Sequence, residues 1–246
     1  MHHHSTKSLT SGCSFTAGYW EEVLNDHFLH KDLAYPGAGN KYIADCIIHY
    51  VNQNHYDVVL VMWSGLTRLD LPMSDMTYFK DYFYTSNETL SAGTRYVMSG
   101  GQIGCWVDDP MAKILFENTY KFMHYQDLAL LSLLEMIKLQ SFLKTKNIQY
   151  YFMSYINYWD QPADWFSKNL DQGLNNYPGL NDMIREIDWS RWIFSNDNKD
   201  GVYELALENN DFWDDGYHPG KTTQTQWGEF VIDRLRKDGL INFDIS

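Results

Sequence analysis

The chain has 246 residues, of which 44% are hydrophobic, and a formal net charge of −13. That length supports one sizeable core, so one domain over residues 1–246 is expected. The acidic balance and the lack of a basic cluster exclude nucleic-acid binding through counterion release.

In chain order, residues 8–10 read as a strand that runs into Ser11-Gly12-Cys13-Ser14-Phe15-Thr16. A helix is expected from about residue 17 to residue 30, with Tyr19, Trp20, Val23 and Leu24 at helical spacing. A short strand over 31–35 and a glycine-containing loop over 36–40 follow, with Asn40 placed to cap the next helix. That helix, 41–53, carries Ile43, Cys46, Ile47, Tyr50 and Val51 on one face. The unbroken apolar run over 58–63 reads as a buried parallel strand. Residues 69–109 form a long irregular insertion, read either as a lid or as a surface flap. A helical pattern runs from 110 to 146 with a break near His124, and a strand follows over 148–154. Residues 157–200 mix short helices and loop, with a fifth short strand near 191–194. A last amphipathic helix spans 222–237. The order β-α-β-α-β and the single long core point to a three-layer α/β/α fold with a mostly parallel, flavodoxin-like sheet of about five strands.

Two stretches carry chemistry. Ser14 sits on a strand-to-helix turn, where its hydroxyl is exposed and a helix end behind it favours developing negative charge. The plain alternative is a polar turn in which Ser14 or Thr16 caps the helix. At the other end, Asp215-Gly216-Tyr217-His218-Pro219-Gly220 places a carboxylate three residues before an imidazole in a glycine- and proline-bounded loop. Asp215 can then hold the tautomer of His218 while the other ring nitrogen faces a serine. A helix-entry histidine that pairs with Asp214 or Asp215 is the plain reading there.

Together the two stretches resemble the SGNH (GDSL-like) hydrolase superfamily, whose serine lies in an N-terminal block and whose Asp-x-x-His lies near the C-terminus. Ala34-Tyr35-Pro36-Gly37-Ala38-Gly39-Asn40 is similar to the second block, in which Gly37 matches the glycine that supplies an oxyanion N–H. The segment 58–68 stands where the third block belongs but departs from Gly-x-Asn-Asp, with Ser64 near the glycine position and Leu66 near the asparagine. The resemblance implies a serine hydrolase with Ser14 as nucleophile, His218 as base and Asp215 as its orienter. Leu66 has no donor, so Ser64, Thr67 or Asn40 is expected to replace the missing amide, with Ser64 favoured. Trp63 and Arg68 are expected on the same strand end, Trp63 lining a cleft or packing, Arg68 gripping an anion or pairing with Asp70.

The resemblance implies esters as substrates and no cofactor. A short acyl ester, acetyl on a saccharide included, suits the aromatic content of 16% and the lack of a long apolar run. Two alternatives are a non-catalytic member of the fold that binds carbohydrate, and a metal-binding protein that uses Asp211, Asp214, Asp215 and His218. Cys13, Cys46 and Cys105 are too few and too far apart for a disulfide framework, which fits a reducing, cytoplasmic setting. Cys13 reads as a small buried apolar residue. No signal peptide or transmembrane stretch is seen.

Overall fold

The computed structural model describes residues 6–16, 18–73, 95–99, 110–160, 174 and 177–241. Four strands form one sheet: β1 (Lys7–Ser11), β2 (Leu29–Asp32), β3 (Val58–Trp63) and β6 (Gln149–Ser154). All pair in parallel, in the order β2-β1-β3-β6, with Ser8 opposite Val58 and Val58 opposite Gln149. The fold is α/β, with a parallel central sheet flanked by helices on both faces.

Every residue of β3 is buried, as its Val-Val-Leu-Val-Met-Trp run requires of a strand covered on both sides. Each such side chain contributes roughly 1.5–3 kcal/mol when taken out of water. Parallel neighbours need crossover helices. The connection from β1 to β2 goes one way along the sheet, and the connection from β2 to β3 returns past β1. Right-handed crossovers therefore put α1 (Tyr19–Asn25) and α2 (Asn40–Gln53) on opposite faces. On one face α1 packs against α7 (Lys221–Lys237); on the other α2 packs against α4 (Tyr125–Thr145). Gly228 permits the first contact, because a Cβ there would sit 3.0 Å from the Trp20 carbonyl and from Val23. The reversal opens a crevice between the carboxyl ends of β1 and β3, where ligands of such sheets gather.

Several expectations are corrected. The first helix ends at Asn25 instead of residue 30, since Leu29–Asp32 is drawn into the sheet beside β1. The fifth strand shrinks to one parallel bridge, Phe152 with Trp192, closed by the Ile193 N–H on the Phe152 carbonyl at 2.9 Å. The insertion is not wholly irregular: β4 (Asp70–Met73) pairs antiparallel with β5 (Arg95–Met98). Residues 74–94 and 100–109 of that insertion lie outside the described residues, and so does the lid reading that rests on them. The long helical pattern divides into α3 (Pro110–Phe122) and α4, and Asp127 accepts the His124 N–H at 2.8 Å where the break falls. A small cluster of Leu69, Val97, Ala112, Phe116 and Leu128 joins the entry to β4 with β5, α3 and the start of α4. Two short elements, α5 (Asn181–Arg185) and α6 (Val202–Asn209), fill the segment before the Asp215 loop. Cys13 and Cys46 are buried and neither is in a disulfide. Among the described residues no helix is long and apolar enough to cross a membrane.

Candidate active site

The turn after β1 is built around Gly12. A Cβ at that position would overlap the Thr16 side chain and approach the Met62 carbonyl, so only glycine fits. The Thr16 N–H closes the turn on the Cys13 carbonyl at 2.9 Å. Cys13 and Phe15 point into the core and Ser14 stays partly exposed. Helix α1 starts only at Tyr19, so the helix end expected directly behind Ser14 is displaced along the chain. The anion-binding capacity of the turn rests instead on its own backbone. Neither the Ser14 nor the Gly37 N–H donates to another described residue.

The second partner comes from the segment between α6 and α7. Phe212 and Pro219 form an antiparallel bridge, and the Trp213 N–H donates to the His218 carbonyl at 2.9 Å. Gly216, at φ 75°, takes the left-handed conformation that reverses the chain. The Asp215 Oδ1 accepts the N–H groups of Tyr217 at 3.0 Å and His218 at 2.9 Å. Its Oδ2 lies 2.6 Å from His218 Nδ1. Partial burial works against ionisation of Asp215, but those two backbone donors and the imidazole outweigh it and hold the carboxyl below its ordinary range. An ionised Asp215 accepts a proton-bearing Nδ1, which leaves Nε2 as the acceptor. The Ser14 hydroxyl stands 2.8 Å from that Nε2. Serine, imidazole and carboxylate thus form one hydrogen-bonded relay, contributed by positions 201 residues apart in the chain.

Two side chains that sequence reasoning missed hold the halves together. Gln224 on α7 is buried; its Oε1 accepts the Tyr19 N–H at 2.7 Å and its Nε2 donates to the Pro219 carbonyl at 2.8 Å. Gly18 makes room, since a Cβ there would overlap the Gln224 amide. Asp70 accepts the N–H groups of Gly39 and Tyr42, both at 2.9 Å, and so caps α2 from a distant loop. A conventional cap signal needs a polar residue next to the helix start, and neither contact leaves one.

The other expected site residues are placed as follows. Gly37, at φ 83°, turns the loop after β2. Asn40 does not cap α2. Its amide donates to the Ser64 carbonyl at 3.3 Å and to Ser132 Oγ at 3.0 Å, and its oxygen accepts the Ser64 N–H at 2.8 Å. Both amide protons are spent, so Asn40 has none left for an oxyanion. Ser64 Oγ is enclosed and has no partner among the described residues. Thr67 offers its carbonyl to the Tyr120 hydroxyl at 2.7 Å. Trp63 is core, edge-on to Phe152 at 5.1 Å between centroids, and lines no cleft. Arg68 makes no ion pair with Asp70, whose carboxylate the helix N–H groups take; its Nη1 donates to the Ala38 carbonyl at 3.2 Å, next to Gly37. Asp211 caps α7 through the Thr223 N–H at 2.7 Å. With Asp211 on the helix and Asp215 on His218, the acidic run is not gathered for a cation. No group of three or more potential ligands capable of holding a metal occurs among the described residues.

The fold and this site define an α/β protein with a serine–histidine–aspartate relay at the carboxyl edge of a parallel sheet. No protein-family model matches the chain, and no curated protein matches it. Among solved structures it is similar to the crystal structure of psychrotrophic esterase EstA from Pseudoalteromonas sp., inhibited by monoethylphosphonate. That similarity has a TM-score of 0.49 at 9% identity and covers 95% of this chain and 98% of that one.

Proposed function

We propose that the protein is a serine hydrolase of carboxylic esters that works through an acyl-enzyme, as the resemblance to SGNH hydrolases also implies. The observation that carries this reading is the Asp215–His218–Ser14 relay, with spacings of 2.6 Å and 2.8 Å. Ser14 Oγ attacks the ester carbonyl and gives its proton to His218 Nε2. Asp215 stabilises the imidazolium that results. The tetrahedral oxyanion is held by the N–H groups of Ser14 and Gly37, each worth about 3 kcal/mol of transition-state stabilisation. Collapse breaks the bond to the alcohol oxygen, which takes the proton from Nε2. Water then enters, loses a proton to the same nitrogen and attacks the acyl-enzyme, releasing the acid and restoring Ser14.

Short acyl esters fit best. The sequence carries no long apolar run on which a lipid chain could dock, which favours a short acyl group. Initial rates on 4-nitrophenyl esters of increasing acyl length test the reading. The acetyl ester should be turned over best, with kcat/KM falling as the chain grows. No turnover of any ester would refute it.

A further inference from the structure

We infer that Arg68 is the anion anchor of the acyl subsite, and that the preferred ester carries one carboxylate at the end of a short acyl group, as in a monoester of a small dicarboxylic acid. This rests on the ester-hydrolase reading above. Arg68 stands in the loop that follows β3, and Ala38 in the loop that follows β2. Between those strands lies β1, which runs into the Ser14 turn. The Arg68 Nη1 donates to the Ala38 carbonyl at 3.2 Å. The guanidinium therefore joins the two loops that flank the crevice, next to Gly37.

The direction of the side chain follows from the turn it sits on. The Arg68 N–H closes that turn on the Gly65 carbonyl at 3.1 Å. The side chain folds back over Gly65, where a Cβ would lie 3.8 Å from Arg68 Cγ and Nε and 3.4 Å from the Tyr155 hydroxyl. The Tyr155 ring packs 4.5 Å from Phe15, and Phe15 packs 4.8 Å from the His218 ring. Tyr217, from the loop that carries His218, packs 4.3 Å from the same imidazole. Burial pushes the Tyr155 and Tyr217 hydroxyls up, and the Arg68 charge pulls both down. The guanidinium thus acts on two rings, one packed on the Ser14 turn and one on the imidazole.

Arg68 is part-buried and makes no ion pair among the described residues. It feels the charge of Asp70, but the two oxygens of that carboxylate accept the Gly39 and Tyr42 N–H groups. The Ala38 bond takes one of the guanidinium N–H donors and leaves the others. A carboxylate accepts two parallel bonds from such a fork, which a neutral alkyl end cannot do. The acyl half of the ester is the half placed to use it. In the Ser14 adduct the alcohol oxygen faces His218 Nε2, which protonates it, and the oxyanion faces the Gly37 N–H. His218 arrives on the loop before α7, so the wall built by the loops after β2 and β3 is left to the acyl substituent. The net charge of −13 repels polyanions, and one guanidinium offsets one charge, so a single carboxylate is favoured.

The test compares monomethyl succinate with methyl butyrate, esters of equal acyl length that differ by one carboxylate. Acid release is followed by pH-stat titration. The readout is the ratio of kcat/KM on the succinate monoester to kcat/KM on the butyrate ester, for the intact protein, Arg68→Gln and Arg68→Lys. The intact protein should prefer the succinate monoester. Arg68→Gln should lower the ratio by about tenfold to a hundredfold, mainly through KM, the size of one lost charge-assisted pair. Arg68→Lys, which keeps the charge but not the fork, should fall between the two. Calorimetry on Ser14→Ala measures binding without turnover. Monomethyl succinate should bind, and should bind about tenfold more weakly once Arg68→Gln is added. That binding result with no turnover of either ester by the intact protein would keep the anion anchor and remove only the hydrolase reading. A preference of the intact protein for methyl butyrate, or an equal fall on both esters in Arg68→Gln that leaves the ratio unchanged, would overturn the inference.

Discussion

The side-chain amide of Gln224 donates to the backbone carbonyl of Pro219 at 2.8 Å. Its oxygen takes the Tyr19 N–H, so one buried residue of α7 ties the loop that carries His218 to the helix that follows the Ser14 turn. The packing of α1 on α7 brings the two halves close, and Gln224 sets their relative position. Gln224→Leu, of similar size, leaves a buried N–H and a buried carbonyl unpaired, at about 1–3 kcal/mol each. A small displacement of the relay costs on the order of a hundredfold in rate. A kcat lowered by about tenfold to a hundredfold, with KM changed much less, is expected from steady-state kinetics. Gly18→Ala should act in the same direction, because its Cβ would overlap the same amide. Full kcat in both variants would remove Gln224 from the site.

Asp215 should act through the tautomer of His218. Asp215→Asn retains the size of the side chain but lets an amide face Nδ1, which favours the wrong tautomer. A loss of about 10⁴ in kcat is expected with the folded structure retained, as circular dichroism would report. Near-normal kcat in Asp215→Asn would show that another carboxylate, Asp214 or Asp211, orients the ring.

The third-block expectation is revised by the placement of Asn40 and Ser64. Asn40→Ala strips partners from the Ser64 backbone and from Ser132, all buried, so thermal unfolding should register a loss of about 2–4 kcal/mol. Ser64→Ala removes an enclosed hydroxyl that has no partner among the described residues, so kcat should stay within about threefold of the parent. A hundredfold fall in Ser64→Ala would restore it as an oxyanion donor.

Burial pushes the Asp70 carboxyl up to about 6, against the opposing pull of the Tyr42 and Gly39 N–H groups and of Arg68. A carboxyl whose folded value lies above its unfolded value binds more protons in the native state. Its contribution is full below the unfolded value near 3.8 and is lost as pH rises to about 6, then stays flat. Urea unfolding of the parent should therefore lose stability relative to Asp70→Asn between those limits, on the order of 3 kcal/mol in all. A constant difference across that window would contradict the assignment.

How much of this was legible in the sequence depended on whether the signal was local. The six-residue apolar run of β3 could only be a doubly covered strand, and its bounds agree with the structure. Asp215 and His218 lie three residues apart with a glycine between them, so their contact needs only one turn. Leu29–Asp32 alternates exposed and half-buried residues on a sheet edge, and only pairing with β1 makes it a strand. Asp70 caps α2 from 30 residues away, and Pro72 in β4 is tolerated because that strand has a single neighbour. Gln224 reads as one more polar residue on an amphipathic helix until Gly18 and Pro219 are beside it.

The claim that Ser14 is the nucleophile is tested most directly by covalent labelling. A fluorophosphonate probe phosphonylates an activated serine and displaces fluoride, and peptide mass mapping locates the adduct. One adduct on Ser14 is expected, absent in Ser14→Ala and strongly slowed in His218→Ala, in step with loss of ester turnover. Labelling that persists in Ser14→Ala, or an adduct mapped to another residue with turnover intact, would contradict the assignment.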